Sequence, residues 1–305
     1  MTAYAEMAAA SNFSFLRGAS KPRDLVLTAV ALGLSGLGIA DRNTVAGTAR
    51  AWVTLKSLRE DGLSPPDRVR WGGGPGEVDY TPNPLDDPEV RDEIQRRAQG
   101  FRLGLGTRLA FTDGTPDILV YPETRAGWGR LCRLLTKGNL RGAKGECLLQ
   151  LADLEADTEG LLLIVMPPAQ VVGLEETLSR VVAAAPGATW LGATAPFGGD
   201  DQRRLIKLER LAAATGAPLI ATNDVLYHSP SERDLQDVLT CIREGVRIDQ
   251  AGRRLQANAE RHLKAPQEMA RLFRAAPEAL DQGDQMLARM RFDLGDLKYE
   301  YPEEP

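Results

Sequence analysis

Histidine is nearly absent from this 305-residue chain, which has two. Imidazole is the commonest ligand of transition-metal sites, so a hydrolase gathering several such ions would be short of donors here. Cysteine is also scarce. Its three residues, Cys132, Cys147 and Cys241, form no CxxC pair and no Cys/His cluster, which argues against a disulfide framework and against a zinc site. Positive charge is in deficit. At a net charge of −5, no global field draws the chain to nucleic acid or to an anionic membrane, and any such contact must be a local patch. No apolar run approaches the roughly 18 residues of a spanning helix. The first 20 residues also lack the charged-then-apolar order of a secretory signal. These absences point to a cytoplasmic protein with no membrane partner.

What is present is enough for a large core. Hydrophobic residues make up 43% of the chain, which suits one large domain or two ordinary ones. Short apolar runs alternate with amphipathic helices. The helix "KPRDLVLTAVALG", opened by Ser20 with Pro22 in its first turn and stopped by Gly33, leads to the buried strand "LSGLGIAD". "TVAGTARAWVTLKSLRED" is helical, and "FRLGLGTRLAFTDGTPDILVYPE" reads as a strand pair hinged at Asp113-Gly114. The helix "RAGWGRLCRLLTKG" follows, then the strands "GLLLIVMPP", "ATWLGAT" and "APLIATNDV", separated by the helices "GLEETLSRVVAAA" and "DDQRRLIKLERLAAATG". "SERDLQDVLTCIREG" and "APQEMARLFRA" complete the helices. Strand followed by helix, repeated, predicts an α/β protein, either a parallel barrel or a doubly wound sheet. Loops leaving the strand C-termini would carry any site. Gly62 to Pro88 breaks the rhythm with six prolines and five glycines, and predicts an exposed, partly mobile insertion.

Three glycine clusters, "GLGTRLAFTDG", "GGGPG" and "RAGWGRLCRLLTKGN", lack the spacing of a phosphate-binding loop. Between Arg125 and Lys144 there are six cations and no acid. Arg130, Arg133 and Lys137 fall three and four apart, hence on one helix face. That face is a candidate for phosphate or DNA contact, or else a solvated face balanced by the acidic stretch Asp153 to Glu159. In "ATNDVLYHSPSERDLQDVL", Asp224 follows a buried strand, as a ligand would or as a turn carboxylate would, and His228 lies four residues on. "GIADRN" places a second carboxylate, Asp41, at another strand end. Two carboxylates with no imidazole in reach make a poor transition-metal site.

In order and spacing, "YAEMAAASNFSFLRGAS", "GLGIADRNTVAG", "PLIATNDVLYH", "CIREG" and "ANAERHLKAPQEMARLF" resemble the N-terminal PHP (polymerase and histidinol phosphatase) domain of C-family bacterial DNA polymerases. "NFSFLRGAS", "YPETRAGWGRLCRLLTKGNLRGAKGEC" and "LKYEYPEE" are closest to the error-prone, damage-inducible branch. The resemblance covers nearly the whole chain. It implies a PHP-type distorted (β/α)7 TIM-like barrel over residues 1–290, interrupted by the insertion at 62–88. Residues 291–305 would then be a linker toward a polymerase palm domain absent from these residues.

In metal-binding members of that family, an H-x-H pair falls where this chain has Ala8 and Ala10. The Asp of the family's "DG" meets Arg17, and its "TDH" keeps Asp41 but replaces the His with Arg42. A family Glu meets Arg108. The "NDVHY" motif keeps Asp224 but has Leu226 for its His, and a later helix His meets Gln236. Alanine and leucine donate no lone pair, and arginine stays protonated. The resemblance therefore implies a lost metal site, with no metal ligand and no catalytic residue in this chain. Salt bridges from Arg17, Arg42 and Arg108 to Asp41 and Asp224 would close the barrel mouth instead.

The resemblance further implies a parent protein that performs error-prone translesion synthesis in the SOS response, a nucleotidyltransferase of DNA replication and repair whose polymerase core uses magnesium. This chain would have no cofactor of its own. It would be a structural and interaction domain whose partners are the polymerase core, other mutasome proteins and the sliding clamp complex, meeting DNA through the parent. The alternative is a live metal-dependent phosphoesterase or proofreading 3'-5' exonuclease using Asp41, Asp224 and His228. A free-standing DNA-binding module using the Arg125 to Lys144 face is a third reading.

Overall fold

The run LLLIV is buried at all five positions of a strand, Leu161–Val165, as happens where both faces of a sheet are covered. It is β5 of seven. The others are β1 (Ala5–Ala9), β2 (Gly36–Arg42), β3 (Arg102–Leu109), β4 (Ile118–Pro122), β6 (Thr189–Ala193) and β7 (Leu219–Ala221). The structure is a computed structural model, and it describes residues 3–60, 62, 88–169, 171 and 173–297. Except for its two end residues, the expected Gly62–Pro88 insertion lies outside the described residues.

The seven strands hydrogen-bond in chain order. After β7 the chain returns to β1, where Val225 N donates to Ala8 O at 2.8 Å and Ala10 N to Val225 O at 2.9 Å. That bridge leaves a nearly closed α/β barrel, as expected from the motif order. It is not wholly parallel, however. β4 pairs antiparallel with both β3 and β5, because the link through Asp113 and Gly114 is too short for the crossover of about a dozen residues that parallel strands need. Gly114, at φ +84°, makes the turn. Inside the barrel, Tyr121 leans across β2 and β3 to donate its hydroxyl to Met7 O at 2.5 Å. A Cβ at Gly38 or Gly106 would overlap that ring, so the tyrosine fits because both positions lack one.

The helices are α1 (Pro22–Ala31), α2 (Ala46–Glu60), α3 (Pro88–Gly100), α4 (Arg125–Arg141), α5 (Leu151–Glu155), α6 (Leu174–Ala184), α7 (Asp201–Thr215), α8 (Arg233–Glu244), α9 (Ile248–Ala251), α10 (Pro266–Leu272) and α11 (Glu278–Arg289). Among the described residues, none is long and apolar enough to cross a membrane. Ser20 does not cap α1. Lys21 holds that position, and the Ser20 hydroxyl is taken by His228. Helix α11, which the sequence patterning did not single out, crosses β1 so closely that a Cβ on Gly283 would lie 2.7 Å from Ala5 O. Among residues 291–297, where a linker is expected to begin, Phe292 is buried and the others are exposed or partly exposed. Phe292 stacks on Trp128 with ring centroids 5.1 Å apart, and Asp293 accepts from Trp52 Nε1 at 2.9 Å.

Candidate functional site

β2 and β3 end side by side, with Asp41 opposite Thr107 and Arg42 opposite Arg108. Successive side chains along a strand point to opposite faces, so Asp41 and Arg42 leave β2 in opposite directions. Arg42 and Arg108 share a face and both reach Asp117, Arg42 Nη1 at 3.2 Å and Arg108 Nε at 2.8 Å. Arg108 Nη1 also reaches Asp224 Oδ1 at 2.6 Å, and Arg261 Nη2 holds the second Asp224 oxygen at 2.5 Å. The mouth is thus an alternating chain: Arg42, Asp117, Arg108, Asp224, Arg261.

Asp224 reaches this position through its backbone. β7 ends at Ala221, and Asp224 then adopts φ +47°, a left-handed conformation that Asp tolerates better than most residues. Arg261 Nε donates to the Asp224 carbonyl at 2.7 Å, and Asp224 N donates to Thr222 Oγ1 at 3.1 Å. Burial alone would raise the Asp224 carboxyl, but Arg108 and Arg261 outweigh it and hold the group below its ordinary range. For Arg108, burial works against the charge, yet Asp224 and Asp117 keep the guanidinium above its usual value. Arg261 is held below its own, chiefly by burial.

Asp41 is elsewhere, and the expected arginine bridge to it does not form. Fully buried on the other face of β2, it accepts from Ser11 N and Ser14 Oγ, each at 2.7 Å, and from Ser11 Oγ at 2.8 Å. Burial pushes its carboxyl up, and the serine hydrogen bonds pull it back only in part. A Cβ on Gly47 would overlap Asp41 Oδ2, so the glycine lets the first turn of α2 come down on the carboxylate.

The remaining sequence candidates fall near this mouth or away from it. Ala8, Ala10, Leu226 and Gln236 are buried, and Ala10 and Leu226 pack together with Tyr227. Arg17 is half-buried within electrostatic reach of Arg42 and Arg108. Burial first, and then repulsion from Arg42 and Arg243, depress its affinity for its proton. His228 is tied to Ser20, whose Oγ lies 2.8 Å from both the His228 backbone N and Nδ1. On α4, Arg130 pairs with Asp157 at 2.8 Å and Glu159 at 2.5 Å, and Lys137 with Asp153 at 2.7 Å. The face proposed for phosphate is therefore engaged through these two residues by the acidic stretch, the balanced arrangement that the sequence also allowed. Arg133 lies on the same helix.

Several residues at the mouth stand outside the sequence candidates. Asp117 and Arg261 complete the ion chain, although neither was singled out; Arg261 lies within the motif "ANAERHLKAPQEMARLF" and Asp117 just after the Asp113-Gly114 hinge. Glu6 is different, because a lone acid inside the apolar strand "YAEMAAA" must find partners wherever that strand is buried. It accepts from Tyr4 Oη, Ala8 N and Asn223 N, each at 2.7 Å, and from Thr222 Oγ1. These bonds stitch β1 to the segment after β7 at the closing seam. Burial raises the Glu6 carboxyl, while Thr222 and Tyr4 act in the opposite direction.

The fold and the mouth together define an α/β barrel whose strand ends carry an arginine–carboxylate chain. No family model matches the chain. Its relatives are nonetheless specific. It is 49% identical over 305 residues to the error-prone DNA polymerase of Rhodopseudomonas palustris strain BisB5, an alignment covering 99% of this chain and 24% of that protein. The error-prone DNA polymerases of Brucella suis (47% identity, all of this chain, 25% of the relative) and Caulobacter vibrioides (43%, 99% and 24%) align likewise. The chain is thus homologous to the error-prone DNA polymerases over nearly its whole length, as its motifs implied, and spans about a quarter of theirs. An amidohydrolase from Chromobacterium violaceum overlays 73% of this chain and 88% of its own at 13% identity, with a TM-score of 0.45. At that level it adds nothing to the interpretation of the site.

Proposed function

We propose that this chain is a PHP-type barrel domain of an error-prone DNA polymerase, a structural support and docking surface for the polymerase core and not a phosphoesterase. The observation that carries the proposal is the kinship over 99% of the chain with polymerases four times its length. The donor chemistry of the mouth supports its second half. Both Asp224 oxygens accept from guanidiniums, and Asp117 is shared by two more contacts. A guanidinium has no lone pair to offer. Among the described residues, no group of three or more His, Cys, Asp or Glu stands close enough to share an ion. The residues present therefore do not fit a divalent ion. Without one, nothing here brings the pKa of an attacking water near 7, and a lone base such as His228 contributes only about 10²–10⁴-fold. Translesion synthesis in the SOS response, cytoplasmic location and contacts with mutasome proteins or a sliding clamp belong to the same proposal, as properties of the parent polymerase.

The test is elemental analysis of chain purified without chelator, paired with nuclease and phosphodiesterase assays in added manganese or zinc. The expected outcome is less than one ion per chain and no turnover above background. Turnover that disappears in Asp224→Asn would establish the rival phosphoesterase or exonuclease.

A further inference from the structure

A groove of about 460 Å³ opens at the foot of the barrel, between the C-terminal half of α2, the start of β3 and the end of α11 with the residues that follow it. A strand rises about 3.3 Å per residue, so Arg102 in the groove stands roughly 20 Å from Arg108 at the mouth. The floor is apolar, with Leu55, Phe101, Leu105 and Leu287 buried in it. The rim is basic although the chain is acidic. Lys56, Arg59, Arg102 and Arg291 line the groove against Glu60 and Asp293, a local surplus of two positive charges (four less two) in a chain of net charge −5. Both acids are already engaged, Glu60 with Lys56 at 3.9 Å and Asp293 with Trp52 Nε1 and the backbone N of Gly295. Arg59 donates to the carbonyls of Ala98 and Phe101, which leaves its charge without a counterion. Among the described residues, the exposed side chains of Arg102 and Arg291 make no ion pair and no hydrogen bond.

The complementary composition lies in the sequence just past the groove. The eight residues beyond Leu297, "KYEYPEEP", are outside the described residues. Glu300, Glu303 and Glu304 against Lys298 give them a net charge of −2 (one less three). Tyr299 and Tyr301 are two apart, so in an extended segment both rings face one side and Glu300 the other. A tyrosine buries its ring against an apolar surface while its hydroxyl stays in water. The chain lines the groove at Asp293 and leaves the described residues after Leu297, so this segment starts beside the site and needs only a short closing loop. Residues 61–87 also start beside the groove, at Glu60, but their first aromatic, Trp71, comes eleven residues later.

We propose that residues 298–305 dock in this groove, with Tyr299 and Tyr301 on its apolar floor and the glutamates paired with the rim guanidiniums of Arg102 and Arg291. A guanidinium matches a carboxylate in a two-pronged contact, and a long arginine side chain at a rim can reach the outward face of a bound segment. The groove is thereby a site for the chain's own acidic, tyrosine-bearing end. The proposal rests on the groove and on that composition, and not on the polymerase kinship.

The test replaces Tyr301 of the full chain with photoreactive benzoylphenylalanine, irradiates it in dilute solution and maps the crosslinks by mass spectrometry. The expected crosslinks join residue 301 to residues 52–60, 101–105 or 287–293 of the same chain. Arg102→Glu combined with Arg291→Glu should cut their yield about fivefold, the scale of reversing two exposed ion pairs. Adding Glu300→Arg and Glu303→Arg to that variant should restore the yield, which a merely damaged groove would not allow. Arg203→Glu with Arg210→Glu, on the exposed side of α7, should leave the yield unchanged. Crosslinks between two chains would assign the groove to a second copy. Crosslinks to other parts of the same chain would put the segment on another face and leave the groove to residues 61–87 or to a separate partner. Either result overturns the proposal, as does a yield that ignores the arginine reversal or that the glutamate reversal fails to restore.

Discussion

Arg108→Ala removes the cation that links two carboxylates, and its consequence can be worked from the geometry. Arg108 lies 2.6 Å from Asp224 and 2.8 Å from Asp117, and the Arg108 and Asp224 side chains are each 18% exposed. Removing one member of a buried pair costs roughly 3–5 kcal/mol, because the partner charge is left stranded. Two features pull the value to the low end. Asp224 retains Arg261, and Asp117 retains Arg42. The expected loss is about 3 kcal/mol at pH 7, read as a shift in the urea midpoint.

The pH dependence adds a second, independent signature. The guanidiniums hold the Asp224 carboxyl below its ordinary value. Its pairing therefore adds stability above the unfolded pKa of about 3.9 and loses it as pH falls through the folded value. The gap between Arg108→Ala and the parent should be widest near neutrality and narrow in acid. Asp224→Asn is the companion variant, because asparagine also tolerates the left-handed backbone at this position. In the double variant the losses should be less than additive, by about 1 kcal/mol or more. A cost below about 1 kcal/mol at pH 7, or the same cost at neutral and acid pH, would refute the view that the mouth is held by desolvated ion pairs.

Gly47→Ala tests the packing around Asp41. Alanine in place of a helical glycine ordinarily gains up to about 1 kcal/mol, but here the new methyl would overlap Asp41 Oδ2 and lie 2.9 Å from Ser11 Oγ. A net loss of about 1–3 kcal/mol is expected in denaturant melts, and a gain would show that the carboxylate moves aside freely. Glu6→Gln keeps the volume but turns an amide NH₂ toward donors that now meet a carboxylate. It should cost about 1.5–3 kcal/mol by the same measurement. An unchanged midpoint would mean that the seam between β1 and the segment after β7 does not depend on that charge.

Much of the architecture could be read from local chemistry. Buried runs such as LLLIV, the glycine at Gly33 and the turn at Asp113-Gly114 depend on neighbours within a few residues, and so mark their elements wherever the chain goes. The motif positions likewise predict Arg42, Arg108 and Asp224 at one mouth, and the ion pairs through Asp117 join them there. What each charge meets there was a different matter. Asp41 and Arg42 are adjacent in the chain, yet strand alternation sends one to the serines of the 11–14 loop and the other to Asp117. Asp117 and Arg261 are 144 residues apart in number, and Arg108 and Asp224 are 116 apart. No local pattern ties such segments together. Arg108 meets Asp224, and through that pair Asp117 and Arg261 join one chain, because seven strands close on themselves through the Ala9–Val225 bridge. The direction of β4 and the partner of Glu6 were hidden for the same reason. A sequence shows which side chains carry charge and how the local backbone bends. Which charges neutralise one another is decided only when closure of the barrel sets the distances and excludes water from between them.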